Sequence, residues 1–381
     1  MNNTKNNFFS KISPYFRKNN YIIALSTILC IICGIIVGFI ILLCVNPEDS
    51  FSTGLYGILF GGFEDPAKIL YLATPILLTG LSVAFANKVG LFNIGAPGQF
   101  LVGAVGALYC AICLNLNWFV CLLVAMVLGF IYGTIPGICK AYFNVNEVIT
   151  SIMLNWISLF LGNVFVLNVP GMFQVYDYKT VEIAATSQSA LPRLNINDPF
   201  SNIGIFIGII VAIICFVVIE KTTFGFELKA SGLNRDAAKY SGINTKKSII
   251  LSMGIAGALS ALGGALMYLV GQGGLRYQPQ RIAVPEQGFN GIPVAILANN
   301  NPIGCIIIAL YISFLQVGGD AMQPEYTTEV IDFVIAAIIY FSAFSLLFKN
   351  FIDKHTIKEI YSDIKFFFKN LFKKKAEKGG E

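Results

Sequence analysis

Apolar residues along this chain gather into runs of about 17 to 25 positions separated by short polar breaks. That is the length at which a helix rising about 1.5 Å per residue crosses about 30 Å of hydrocarbon. About ten such runs are present, centred on residues 21–45, 69–89, 94–114, 117–140, 147–169, 203–220, 248–271, 283–299, 302–318 and 329–349. The pattern predicts an all-α, polytopic membrane protein with about 8–10 transmembrane helices. The eighth and ninth runs are short, with Pro293 inside one and Pro302 opening the other, so that pair reads either as two spans or as broken or re-entrant helices. The domain organisation follows: an N-terminal tail at 1–20, a membrane domain at 21–349 and a basic tail at 350–381. The two longest breaks inside the membrane domain are a basic loop at 221–247 and a loop at 169–202.

Composition supports the class. With 56% hydrophobic and 12% charged residues among 381, and a mean hydropathy of +0.71, the chain has more apolar side chains than a soluble core absorbs. Charge then orients it. With the N-terminus inside and ten alternating spans, 21 of the 26 Lys and Arg residues fall on the inner side. Only Lys68, Lys179, Arg193, Arg276 and Arg281 fall outside, where acids such as Glu48, Asp49, Glu64, Asp65, Asp177, Glu182 and Asp198 collect. Both termini are expected in the cytoplasm of a plasma-membrane protein. The net charge of +5 reflects this asymmetry and the basic tail, which suits anionic lipid or simple solvation, and nucleic-acid binding is not expected.

Several chemistries are set aside. The first apolar run is too long for a cleavable signal core of about 7 to 15 residues. The nine cysteines lie in or at the edge of apolar runs, so Cys30 with Cys33 and Cys110 with Cys113 read as small packing residues, and no metal site is expected. The single histidine, His355, sits in the polar tail. No G-x-x-x-x-G-K-[ST] phosphate loop occurs, so if ATP drives this protein another chain hydrolyses it, and no cofactor is expected on this one. No nucleophile with a partnered base stands out.

Glycines spaced four apart, Gly34 with Gly38, Gly129 with Gly133 and Gly137, and Gly204 with Gly208, predict close helix packing. The run GLFNIGAPGQF at 90–100 differs, because Asn93 and Gln99 bring amides into a region broken by glycines and Pro97. It reads either as a helix end unwound beside a cavity or as a tight turn between spans. Glu147 opens a run where capping alone accounts for an acid, and Asn155 lies two turns deeper. Glu286, Gln287 and Asn290 interrupt the eighth run, and Asp332 opens the tenth. Asn93, Gln99, Asn155, Glu286, Gln287 and Asn290 are therefore the candidate substrate-pathway residues. The alternative is that they bond neighbouring backbones and hold the bundle together.

Six Lys or Arg residues stand between Lys221 and Lys247. Within that loop Asn234, Arg235, Asp236, Ala237, Ala238 and Gly242 outline a short helix, with Asn as N-cap, an early acid and a closing glycine. It reads either as a docking element for a soluble partner or as an ordinary loop.

Four motifs, NIGAPGQF at 93–100, NEVITSIMLNWI at 146–157, TTFGFELKASGLNRDAAKYSGI at 222–243 and GFNGIPVAILANNNPIG at 288–304, resemble in order those of permease subunits of ABC importers. The subgroup is the one serving branched-chain amino acids, simple sugars and nucleosides, and the nearest resemblance is to purine nucleoside permeases of guanosine type. The resemblance covers about residues 20–350. It implies a second permease subunit, homologous or identical, two cytoplasmic ATP-binding subunits and an extracellular substrate-binding lipoprotein or periplasmic protein. It makes the 234–242 helix the coupling helix, and it implies transport by alternating access. The chain departs from the family pattern at Pro97, where relatives often carry glutamate, and at Pro293, where a small residue is usual. A carboxylate role at the first position is absent here. A secondary transporter or channel coupled to ions through Glu286 or Asp332 is the reading from a different class.

Overall fold

The computed structural model describes residues 29–184, 186–195, 198–279 and 283–344. The tail at 1–20, the start of the first run, Arg281, the end of the tenth run, His355 and the basic tail lie outside the described residues. Helices account for nearly all the regular structure, as the runs predict. They are α1 (Leu29–Val45), α2 (Leu55–Leu59), α3 (Pro66–Asn87), α4 (Ala96–Ile112), α5 (Trp118–Phe143) and α6 (Glu147–Asn168). There follow α7 (Gly204–Lys221), α8 (Thr223–Leu233), α9 (Arg235–Tyr240), α10 (Thr245–Tyr268), α11 (Glu286–Leu297), α12 (Pro302–Asp320) and α13 (Thr328–Ala343). Between α6 and α7 the strands β1 (Phe173–Gln174) and β2 (Lys179–Thr180) form an antiparallel hairpin, Gln174 opposite Lys179.

Local caps explain where the long helices begin. Side chains of Asp65, Asn117, Asn146, Asn244 and Asn301 accept backbone N–H bonds at the starts of α3, α5, α6, α10 and α12, at 2.8–3.1 Å for the nearest donor in each case. Glu147 at the first position of α6 also pairs with Lys140 at 2.9 Å, both side chains largely sheltered, so it ties the end of α5 to the start of α6.

Six helices, α3, α5, α6, α7, α10 and α12, have the length and apolar character to cross a membrane, and α4 and the described part of α1 are shorter apolar helices. The eighth and ninth runs part company. The ninth is a whole helix, α12, whereas the eighth keeps only the 12 residues of α11, about 18 Å, too short to cross alone. Of the two readings left open for that pair, the broken or re-entrant helix describes α11.

Two compact units are present. One holds α1 and α13 with the described residues next to them, up to Gly54 and from Tyr326. Within it Gly34 sits so close to α13 that an added Cβ would stand 2.8 Å from the Ile338 carbonyl oxygen, and the Tyr326 hydroxyl donates to the Asn46 carbonyl at 3.0 Å.

The other unit, Leu55–Glu325, is built on α3 and α10. Those two are 89% and 83% buried over their apolar windows, against 28% for α5 and α6 and 33% for α7. The difference makes α3 and α10 the centre and leaves the apolar faces of α5, α6 and α7 open, with Val127, Ile131, Phe160 and Ile210 exposed. The glycine spacing does what it predicts. Gly129 and Gly133 of α5 meet Gly257 of α10 backbone to backbone, an added Cβ on Gly257 standing 2.2 Å from the Gly129 carbonyl oxygen.

Candidate functional site

The turn after α3 sends the chain back alongside α3 before α4 begins. Asn93 Nδ2 donates to Ser82 Oγ at 2.9 Å, so this polar residue lies five residues back from the end of α3, about 7 Å along its axis. Helix α4 therefore starts inside the bundle, where an uncapped N-terminus leaves backbone donors without water. Its own preceding residue, Gly95, provides no side-chain cap. Pro97 removes one donor outright, and Asn155 reaches across from α6 to accept from the Gly98 N–H at 2.9 Å. The same Asn155 amide donates to the Ile94 carbonyl at 2.9 Å. Gly98 is needed for this approach, since a Cβ there would stand 2.7 Å from Asn155 Oδ1. Gln99 closes the cluster: its Oε1 accepts from Asn93 Nδ2 at 2.8 Å and its Nε2 donates to Asn93 Oδ1 at 3.2 Å. Asn93, Gln99 and Asn155 are buried and bonded, and Ser260 of α10 adds a bond to the Ala96 carbonyl at 2.6 Å.

The start of α11 packs on this break. Gly288 touches Pro97 so closely that a Cβ would stand 2.4 Å from the Pro97 Cα, and Gly291 fits equally tightly against Thr79. Thr79 Oγ1 donates to the Gln287 carbonyl at 3.0 Å. Thr79 lies 13 residues from the Pro66 end of α3, about 20 Å along an axis of about 33 Å, so α11 too begins at depth. It finishes near the other end, where Asn87 Nδ2 donates to Asn300 Oδ1 at 2.8 Å. Asn299 and Asn300 take positive φ (51° and 55°), a conformation asparagine tolerates, and Asn301 caps α12, which accounts for the triple asparagine in the motif.

Above Gln287, towards the Pro66 end, a pocket of about 320 Å³ opens between the end of α10, residues 274–278 and 283–287, and the hairpin. That lies within the range of about 300–1,000 Å³ typical of small-molecule sites. Tyr268, Tyr277, Lys179, Arg276, Gln278, Glu286 and Gln287 bring aromatic, cationic, anionic and amide groups to its wall. The Tyr71 hydroxyl fixes its α10 side by donating to the Met267 carbonyl at 2.6 Å. Arg276 is engaged, 2.6 Å from Asp177 Oδ2 and 3.1 Å from Gln174 Oε1, which binds the hairpin to the pocket wall. Tyr277 gives its hydroxyl to Asn163, and burial pushes its phenol well above the ordinary range.

The six sequence-predicted pathway residues thus fall into two places. Glu286 and Gln287 line the pocket, with half-buried Asn290 one turn further along α11, while Asn93, Gln99 and Asn155 form the bonded cluster around the start of α4. Sequence reasoning did not find Tyr268 at the end of α10, Lys179 on β2, or Arg276, Tyr277 and Gln278 of the irregular segment after α10, all of which reach the pocket. Their signal was weak: Lys179 and Arg276 are two of only five cations assigned to the outer side.

At the Asn87 end the capped helix forms as predicted. Asn234 Oδ1 accepts from Asp236 N and Ala237 N at 3.1 and 3.0 Å, and Gly242 takes φ +84° beyond the last turn. Ala238 is 4% exposed and seats the helix, while Leu233 and Tyr240, at 89% and 93%, flank exposed Ala237 on the outward face. Just before it, Gly232 presses on the turn after α3, an added Cβ standing 2.3 Å from the Lys88 carbonyl oxygen. Burial lowers the Lys88 ammonium pKa there, with Glu220 opposing the shift.

A helical bundle with two helices starting at depth, a pocket above their junction and a capped helix projecting from the opposite end defines a membrane permease. The chain belongs to the permease family of branched-chain amino acid transport systems, whose model, described as "Branched-chain amino acid transport system / permease component", matches residues 66–343. It is 37% identical over 86% of its length to the nucleoside ABC transporter permease protein NupB of Lactococcus lactis, covering 92% of that protein. To the guanosine ABC transporter permease protein NupP of Bacillus subtilis it is 36% identical over 84% of its length, again covering 92% of the relative. The glucose ABC transporter permease protein TsgB13 of Haloferax volcanii is 28% identical over 85% of the chain and 88% of the relative. No solved structure matches the chain.

Proposed function

We propose that this chain is the permease subunit through which an ABC importer carries nucleosides across the plasma membrane, working beside a second permease. Both termini and α9 then lie in the cytoplasm, and the hairpin and pocket face outside. ATP is hydrolysed by separate cytoplasmic subunits, and an extracellular binding protein delivers the substrate. The observation that carries the reading is the pairing of a pocket at one end of the bundle with an exposed, capped helix at the other. The nucleoside assignment is supported by the two nucleoside-named relatives being more similar than the glucose-named one.

In this mechanism the ATPase grips Ala237 and Tyr240 of α9 together with Leu233 at the end of α8, the inner side of α9 being already held by Ala238. Motion of α9 passes through Gly232 to the turn after α3 and so to the start of α4, which packs on the start of α11 beside the pocket residues Glu286 and Gln287. The amides Asn93, Gln99 and Asn155 hold that helix start in place, while Glu286, Gln287 and Asn290 face the path. The hairpin tip, with Val175, Tyr176 and Tyr178 exposed, is the surface offered to the delivering protein.

Tyr240→Ala is expected to weaken ATPase docking by about 2 kcal/mol, roughly thirtyfold in affinity. Ala237→Trp should obstruct the same face. Uptake of labelled guanosine by proteoliposomes holding the complete complex should fall accordingly, while the permease still purifies folded. Wild-type uptake in both variants would remove the docking role, and wild-type proteoliposomes that accumulate sugars or amino acids but no nucleoside would remove the substrate assignment. Orientation has its own check: a cysteine replacing Tyr176 should react with a membrane-impermeant maleimide in intact cells, and one replacing Lys246 should not. The opposite pattern would invert the topology.

A further inference from the structure

The charged groups of the pocket are unequally engaged. Arg276 is spent on Asp177 and Gln174. Among the described residues, the Lys179 ammonium and the Glu286 carboxylate have neither an ion-pair nor a side-chain hydrogen-bond partner, though both line the same pocket of about 320 Å³. Tyr268 and Tyr277 stand at 86° to one another with ring centres 6.0 Å apart, making an aromatic corner against which a planar ring can lie. The pocket therefore offers a plane, one strong donor and one strong acceptor.

We propose that this pocket selects nucleosides by the lactam edge of the base. Glu286 accepts a ring N–H, Lys179 donates to the adjacent carbonyl oxygen, and the tyrosine corner takes the ring face. Guanine matches best, because its N1–H and exocyclic amine both point to the carboxylate while O6 faces the ammonium. Hypoxanthine and uracil keep the N–H and carbonyl but lose the second donor. Adenine and cytosine carry an unprotonated ring nitrogen at the corresponding position and an amine in place of the carbonyl, so each base would set acceptor against acceptor and donor against donor. This inference rests on the nucleoside reading above and adds the base class that the permease itself admits.

The test is competition in proteoliposomes holding the complete complex, with labelled guanosine challenged by unlabelled inosine, uridine, adenosine and cytidine. Wild-type and Glu286→Gln complexes are loaded by the same binding protein, so its own preference cancels in the comparison. An amide can turn a donor towards the base, and the side chain is exposed and unpartnered, so the substitution leaves packing intact. In Glu286→Gln the preference for guanosine over adenosine should drop at least about tenfold, the size of one charge-assisted hydrogen bond. Lys179→Met should lower guanosine, inosine and uridine together while sparing adenosine and cytidine. An unchanged preference in Glu286→Gln, or an equal loss for all five nucleosides, overturns the assignment and leaves nucleoside transport standing. A wild-type complex that moves no nucleoside overturns both.

Discussion

Replacing Gly257 with leucine is expected to abolish the folded permease. At that point α5 and α10 touch backbone to backbone, and even a methyl group would stand 2.2 Å from the Gly129 carbonyl oxygen and 2.9 Å from the Gly133 Cα. No flexible side chain is there to yield, so the helices themselves must separate. Overpacking of a core by added methylenes costs about 1–3 kcal/mol when neighbours can shift, and here the cost falls on the contact that holds α5 to the central helix. Gly257→Ala should lower the melting temperature of the detergent-solubilised protein, and Gly257→Leu should leave no monodisperse peak in size-exclusion chromatography. Gly162→Ala is the matched control. Its nearest neighbour lies 3.5 Å from the added carbon, and alanine in a helix is favoured over glycine by about 0.5–1 kcal/mol, so that variant should be as stable as wild type or better. A Gly257→Leu protein that melts like wild type would contradict the packing described.

Asn155→Leu should have the second largest effect. The amide accepts from Gly98 N–H and donates to the Ile94 carbonyl, and its loss leaves a buried and a part-buried backbone group without their partners, at about 1–3 kcal/mol for the buried one. Helix α4 would then begin in the bundle with its cap removed, directly beside the residue on which α11 packs. Thermal stability and guanosine uptake should fall together. Asn155→Asp keeps an acceptor for Gly98 but no donor for Ile94, so it should fall between the two. If Asn155→Leu retained wild-type stability and lost only uptake, the residue would act on the substrate path instead of on the cap.

The parts of this protein that could be read from the chain are those set by neighbouring residues. The runs marked the membrane helices because burial in hydrocarbon requires about 20 apolar positions in sequence. Asn234 and Gly242 marked α9 because a cap and a left-handed stop act within one turn of the helix they bound. Asn93, Gln99, Asn155, Glu286 and Gln287 stood out because polarity inside an apolar run is a local anomaly. The same anomaly could not say which amides bond to one another and which face a cavity, and both readings of the set were needed: three close around the start of α4 and two reach the pocket.

The sequence by itself determined a helical membrane protein, the glycine faces of its helices, the capped helix of its basic loop and the polar residues that interrupt its apolar runs. Tertiary structure alone decided that the eighth run is a half-helix of 12 residues, whose start packs so closely on Pro97 and Thr79 that only Gly288 and Gly291 fit there. It also decided that Asn155 caps a helix 57 positions away and that Lys179, from a hairpin about 90 residues before Tyr268, completes the pocket wall. A cap or a span is a short-range balance of backbone hydrogen bonds and burial, which the local order of residues specifies. A pocket is the space left where distant segments meet, and it exists only after the whole bundle has packed.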